Sequence, residues 1–261
     1  MKTFTGILTL VLVACLSACT ASREGTSGQP TAEQTMEQQL AARNLAARGG
    51  MERLQQVQSL VMEGTARLPT MGMVLPLKIF QERPTRMLTE VEIPEMGARV
   101  LTGYDGETVW TINPMMGRRP QRLTGVQARD VREQADIDGM LIASEEKGYR
   151  LVYAGEDSVR ERKAHRLRVI RPDTTESVVY LDAESGLVVK MESEGTNPVT
   201  GARVPVEVYM SDYRDVDGMT LPFAMETVMD GKTFQVVTLQ DVRVNEDVDD
   251  ARFAMPAQEQ K

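Results

Sequence analysis

Chemistry-bearing residues are scarce in this sequence. Its 261 residues include one histidine, one tryptophan and two cysteines. That inventory leaves little for a nucleophile–base pair, a metal set or a disulfide framework. Aromatic residues make up 5% of the chain, so large flat rings cannot fill the interior. Positive charge is in deficit: the net charge is −8 and the pI is about 5.0. A nucleic-acid surface wants a basic patch and usually a basic pI, so that class is disfavoured. No apolar run reaches the roughly 20 residues of a membrane-spanning helix, which argues against a multi-span membrane protein. What is present is a 41% hydrophobic fraction, enough to exclude disorder throughout, and 17 methionines. The interior is therefore aliphatic, methionine-rich and adaptable.

The N-terminus carries the first strong pattern. Lys2 is a minimal basic region, and Ile7 to Leu16 is an apolar stretch too short for a transmembrane anchor. Leu16-Ser17-Ala18-Cys19 follows and resembles the lipobox of bacterial lipoproteins. Leu12-Val13-Ala14-Cys15 resembles it too, but leaves too short an apolar stretch, so Cys19 is preferred. The resemblance implies cleavage before Cys19 and fatty acylation, palmitate included, of the new terminus. Residue 20 is Thr and not the Asp associated with inner-membrane retention, which implies the outer membrane. The expected division is a signal peptide over 1–18, a flexible Gly/Ser-rich tether over 19–30, one domain over 31–256 and a polar tail over 257–261.

Thr31 with Gln34 reads as a capping box opening a helix that ends at Gly49-Gly50, followed by a short turn over Met51 to Val57. From Ser59 the apolar period changes from 3.6 to 2, the mark of half-buried strands. About 11–12 strand candidates lie between 59 and 244. Asp105-Gly106, Ser185-Gly186 and Asp230-Gly231 punctuate them as tight turns. Short connections imply antiparallel pairing. Thr124 to Gly139 breaks the pattern as a weakly amphipathic helix. The fold class is mainly β, with helices available to cover one face of the sheet and leave a hollow beneath.

Several segments, among them RNLAARGGMERLQQVQSLVMEG, DGETVWTINPMMG, VYLDAESGLVVKME, VEVYMSDYRDVDGMTLPF and DDARFAMP, resemble the outer-membrane lipoprotein-sorting proteins. These form the LolA/LolB-like superfamily, and the resemblance spans about residues 40 to 256. It implies an unclosed antiparallel β-barrel with helices capping a hydrophobic cavity, and it implies binding of lipid or acyl chains without catalysis, with no cofactor.

Candidate lining residues for that cavity are Met62, Met71, Met73, Leu75, Met87, Val91, Trp110, Ile112, Met115 and Met116. Methionine suits promiscuous apolar surfaces because it repacks cheaply, and Met71, Met73, Met96, Met115 and Met116 cluster in Pro/Gly-rich segments. Gap-filling in a solid core is the competing reading. Trp110 shares a strand face with Ile112 and suits a cavity wall or a packed wall equally. His165 lies on a strand face with Leu167 and Val169, where a structural role is expected. Asp212, Asp215 and Asp217 do not match a calcium-loop spacing and read as a solvated turn. Arg118-Arg119 reads as a loop tip. No GxSxG, HExxH or P-loop pattern occurs.

Three function classes follow. A lipid-anchored periplasmic protein that binds lipid or acylated protein fits best. An RseB-like sensory or partner-binding module of the same fold is the alternative. An enzyme is the least supported.

Overall fold

The computed structural model describes residues 34–197 and 201–257. Cys19, the tether and Thr31 lie outside the described residues. The first helix, α1 (Met36–Ala47), opens with a capping box, but on the second of two Thr-x-x-Gln repeats. The Thr35 hydroxyl accepts from the Gln38 amide, and the Gln38 side chain accepts from the Thr35 amide. The helix N-cap is thus Thr35, four residues beyond the expected one. A second short helix, α2 (Gly50–Gln55), follows directly. Gly49 at the junction has φ +117°, and a Cβ there would sit 2.2 Å from the Gly218 carbonyl oxygen. Only glycine allows the helices to approach the sheet so closely.

Thirteen strands form one sheet: β1 (Ser59–Leu68), β2 (Met73–Glu82), β3 (Arg86–Ile93), β4 (Ala98–Tyr104), β5 (Val109–Asn113), β6 (Gly117–Arg122), β7 (Arg150–Val159), β8 (Arg162–Ile170), β9 (Glu176–Asp182), β10 (Val188–Thr196), β11 (Arg203–Val216), β12 (Met219–Met229) and β13 (Lys232–Val244). Their order is β6-β5-β4-β3-β2-β1-β13-β12-β11-β10-β9-β8-β7. Every pairing is antiparallel. The chain builds one meander outward from β1 and a second from β7, and the β1–β13 pairing joins them. The edges β6 and β7 do not pair with each other, so the sheet is unclosed. Edge strand β6, GRRPQR, carries a proline and three arginines, which blunt further strand addition. The expected turns are in place. At Asp230-Gly231 both residues have positive φ, +50° and +70°, as a two-residue hairpin requires.

One face of the sheet carries α3 (Gly125–Ala135) and is termed inner. Leu60, Met62, Leu77, Ile79, Val91, Leu167, Val179, Val208 and Met225 belong to its continuous core. On the outer face a smaller core joins Val61, Phe80, Leu88 and Trp110 to the C-terminal segment through Val248 and Phe253. Helix α3 stops at Ala135, four residues short of the expected end. The next residue, Asp136, is extended, and its carboxylate accepts from the Asp138 amide at 2.9 Å and the Lys147 ammonium at 2.6 Å. The chain from 136 to 149 is irregular yet buries Ile137, Met140, Leu141 and Ile142. Helices α1 and α2 close one end of the sheet. Arg43 donates to the carbonyls of Ala183 and Glu184 (2.8 and 2.6 Å), and Asn44 donates to Gly186 (2.8 Å).

Candidate functional site: a cavity beneath helix α3

A cavity of about 970 Å³ opens between the inner face and the cover formed by α3 and the 136–149 segment. Its floor follows from strand register. Ser177, Ser193, Val206 and Met229 pair laterally across β9, β10, β11 and β12. One step along, Met191 pairs with Val208. Residues on one face of a strand alternate with period 2, so both rows point inward. All six of these residues line the cavity. Two serines occupy positions where a packed sheet would carry branched aliphatics, and their small side chains widen the hollow.

The opposite wall is charged. Arg171 donates to the Glu133 carboxylate at 2.5 and 2.9 Å and to the Ser177 hydroxyl at 2.9 Å. Arg83 pairs with Asp138 at 2.5 Å and donates to the Val57 carbonyl at 2.6 Å. Lys147 donates to Asp136 and to the Gly139 carbonyl, each at 2.6 Å. Arg129 reaches Asp130 at 3.2 Å and donates to the Thr175 hydroxyl at 2.9 Å. These pairs compensate charges that burial would otherwise make costly. Burial holds the Asp130 and Asp136 carboxyls above their ordinary value despite the adjacent cations. Burial also pushes the Tyr149 hydroxyl up to about 12, aided by the nearby Glu133 charge, so it remains a neutral donor. Burial opposes the charge on Arg171 most strongly, but the Glu133 hydrogen bond and the electrostatics of Glu133, Tyr149 and Asp130 together outweigh it, and the pKa is raised. The wall is therefore locked, with polar groups facing an aliphatic floor.

None of the ten residues expected to line a cavity touches this one. Met62, Leu75, Met87 and Val91 are on the inner face but buried within the solid core of β1–β3, with Met73 packed against it. Met71 and Met115 are exposed on hairpin tips, and Met116 is half-buried in the β5–β6 turn. Trp110 and Ile112 share a face, as expected, but it is the outer one. The indole is 1% exposed, and its Nε1 donates to the Phe253 carbonyl at 2.8 Å. These placements correct the expected lining. The hollow lies against β9–β12 because the inner face of β1–β4 is filled by branched side chains, which leaves the methionines there nothing to line. Many of the residues that do line it lie on the weakly amphipathic helix expected over Thr124 to Gly139 and on the strands that follow it. The available signal was Ser177 and Ser193, small side chains at inward positions of apolar strands.

The remaining candidates are plainly placed. His165 Nδ1 lies 3.5 Å from the Tyr153 hydroxyl and 3.7 Å from the exposed Glu156 carboxylate. Asp212 pairs with Arg214 at 2.6 Å, and Asp215 accepts from the Gly218 amide in the β11–β12 turn. Arg118 and Arg119 are exposed on edge strand β6. Among the described residues no group of three or more His, Cys, Asp or Glu side chains is arranged to hold a metal ion.

The open sheet matches known architectures. A LolA superfamily protein from Nitrosomonas europaea superposes with a TM-score of 0.57 at 14% identity, covering 85% of this chain and 98% of that one. The fold is LolA-like. A DUF1329 family protein from Desulfovibrio piger gives 0.57 at 14% identity, covering 83% and 95%. A candidate outer-membrane lipoprotein-sorting domain from Vibrio parahaemolyticus gives 0.56 at 15% identity, covering 82% and 94%. No family model and no curated protein sequence matches the chain. At these identities the LolA-like likeness concerns the fold.

Proposed function

We propose that this protein is a periplasmic lipoprotein, anchored to the outer membrane through acylated Cys19, whose cavity binds the acyl chains of a lipid or an acylated protein. Its role is lipoprotein sorting or envelope maintenance. A tether over 19–30 lets the 31–256 domain stand off the bilayer. The observation that carries the reading is the 970 Å³ hollow of a LolA-like sheet, floored by Met191, Val206, Val208 and Met229. A methylene needs roughly 30 Å³, about a water molecule's share of the liquid. The cavity therefore has room for about thirty chain carbons, one long acyl chain or two. The methionines suit an occupant of variable shape. An acyl anchor keeps the protein at one membrane, which favours a receptor or local lipid-binding factor over a shuttle.

Mass spectrometry of hydrophobic molecules that co-purify with the protein tests this directly. Acyl lipids or acylated peptides, recovered in near-stoichiometric amount and lost when Ser193→Trp fills the floor, are the expected result. Recovery of none, together with no saturable uptake of any acyl ligand, would overturn it.

A further inference from the structure

The charged wall contains one cation that differs from the rest. Arg83, Arg129, Lys147 and Arg171 each meet a carboxylate of the same wall, at 2.5, 3.2, 2.6 and 2.5 Å. Those contacts use Asp138, Asp130, Asp136 and Glu133. The remaining carboxylate of the lining, Glu194, faces Arg203 at 3.6 Å. Arg132 has no carboxylate partner among the described residues. Its guanidinium lies over the Tyr104 ring instead, 5.8 Å from the centroid; Arg132 is exposed to solvent, and both residues line the cavity. The Tyr104 hydroxyl is committed to the Gly106 carbonyl at 2.8 Å, which fixes the ring beneath the guanidinium. The Arg132 guanidinium makes no hydrogen bond among the described residues, so its N–H donors are open to a ligand. Tyr149, the neutral hydroxyl farther along the wall, also has no hydrogen-bond partner among the described residues.

A half-open apolar cavity with one positioned, uncompensated cation has the polarity of an amphiphile. We propose that the ligand is anionic: a carboxylate or phosphate headgroup held by Arg132, with its chain lying on the Met191–Val208 floor. This rests on the lipid-binding reading above and adds the headgroup class to it. The four locked pairs explain why the anion would choose this position. An anion at any of them must break an existing ion pair, whereas at Arg132 it meets free donors. Charge-assisted hydrogen bonds of this kind are shorter and stronger than neutral ones. Tyr149 supplies a further donor that carries no competing charge.

The test uses displacement of N-phenyl-1-naphthylamine, an uncharged fluorescent probe, from the mature chain, residues 19–261 with Cys19→Ser and without the apolar 1–18 leader, so that neither an acyl group nor the leader calls for detergent. Dodecanoate, dodecanol and lauroyl lysophosphatidylglycerol are the competitors, at pH 8. Dodecanoate or the lysophospholipid is expected to displace the probe at about tenfold lower concentration than dodecanol. Whichever of the two is stronger identifies the headgroup as carboxylate or phosphate. Arg132→Gln should bring the anions level with dodecanol, read as each competitor's ratio to dodecanol within the same variant so that any change in probe affinity cancels. Arg132→Lys should retain the preference. Equal displacement by dodecanol and both anions in the wild-type cavity would overturn the headgroup assignment, as would a preference that survives Arg132→Gln. Failure of the probe to bind, or of every amphiphile to displace it, would instead remove the lipid-binding reading itself.

Discussion

The two ends of this sheet carry the same kind of inward row with opposite results. Across β2, β3 and β4 the row is Leu77, Val91 and Val100, each no more than 3% exposed. Across β9 to β12 the matching row is Ser177, Ser193, Val206 and Met229. Both are inner-face positions of antiparallel strands beneath the same covering helix and loop. The first is solid and the second is floored by a hollow. Two things separate them: helix α3 packs directly on β3, β4 and β5, and at the other end the two serines leave unfilled part of the space that leucine or valine would occupy in a close-packed interior. The methionine-rich hairpins lie on the solid side, so methionine content alone did not mark the cavity.

The contrast makes graded predictions. The largest effect belongs to the outer face of the solid half. Trp110→Ala removes a fully buried ring and its hydrogen bond to the Phe253 carbonyl, and should cost about 3–5 kcal/mol in denaturant unfolding. Probe binding should persist wherever the variant is folded. Breaking a locked pair of the cavity wall comes next. Arg83→Gln strands Asp138, whose side chain is 6% exposed, and should cost about 3 kcal/mol. Leu77→Ala in the solid row opens a new void and should cost about 3 kcal/mol. Val206→Ala in the hollow row enlarges an existing void, so the transfer loss of about 1.5 kcal/mol applies. Equal losses from the last two would erase the contrast.

The smallest effect is a pH dependence. Burial raises the Asp130 and Asp136 carboxyls above 3.8 in the folded protein. In the unfolded chain they ionise earlier as pH rises. Between the two values the folded state holds more protons, so stability falls with rising pH through that window. Lowering the pH through the raised folded values restores this contribution, which is fully present below 3.8. The stability of Asp130→Asn relative to wild type should therefore improve as pH rises from about 3.5 to neutrality, and then level off. Unfolding midpoints measured across that range check the sign.

Much of the fold was legible. β12 buries every second residue from Met219 to Met229, and the Asp-Gly turns that precede β5 and β13 sit where their chemistry requires. β6 was least visible, since GRRPQR has no apolar alternation. The α1 cap was displaced because TAEQ and TMEQ offer the same capping chemistry four residues apart. The cavity was hardest to read. Periodicity reports which face is apolar, but not where volume is missing from that face. Trp110 illustrates this: its face-sharing with Ile112 was plain, whereas the choice between faces depended on Phe253, 143 residues away. The charged wall was hidden for another reason. Arg171 and Glu133 look solvated until a fold places them 2.5 Å apart.

One measurement weighs the hollow row against the methionine hairpins most directly. N-phenyl-1-naphthylamine is titrated into the mature Cys19→Ser chain, its Ser193→Trp derivative and its Met115→Asp derivative, all confirmed folded by circular dichroism. Ser193 is solvent-accessible within the cavity lining, and Met115 is 44% exposed on its tip, so neither change disturbs packing. Ser193→Trp is expected to weaken binding at least about tenfold, the equivalent of roughly 1.4 kcal/mol, and Met115→Asp to leave it unchanged. Binding that survives a filled floor but is lost at Met115→Asp would place the ligand on the methionine hairpins and contradict the account.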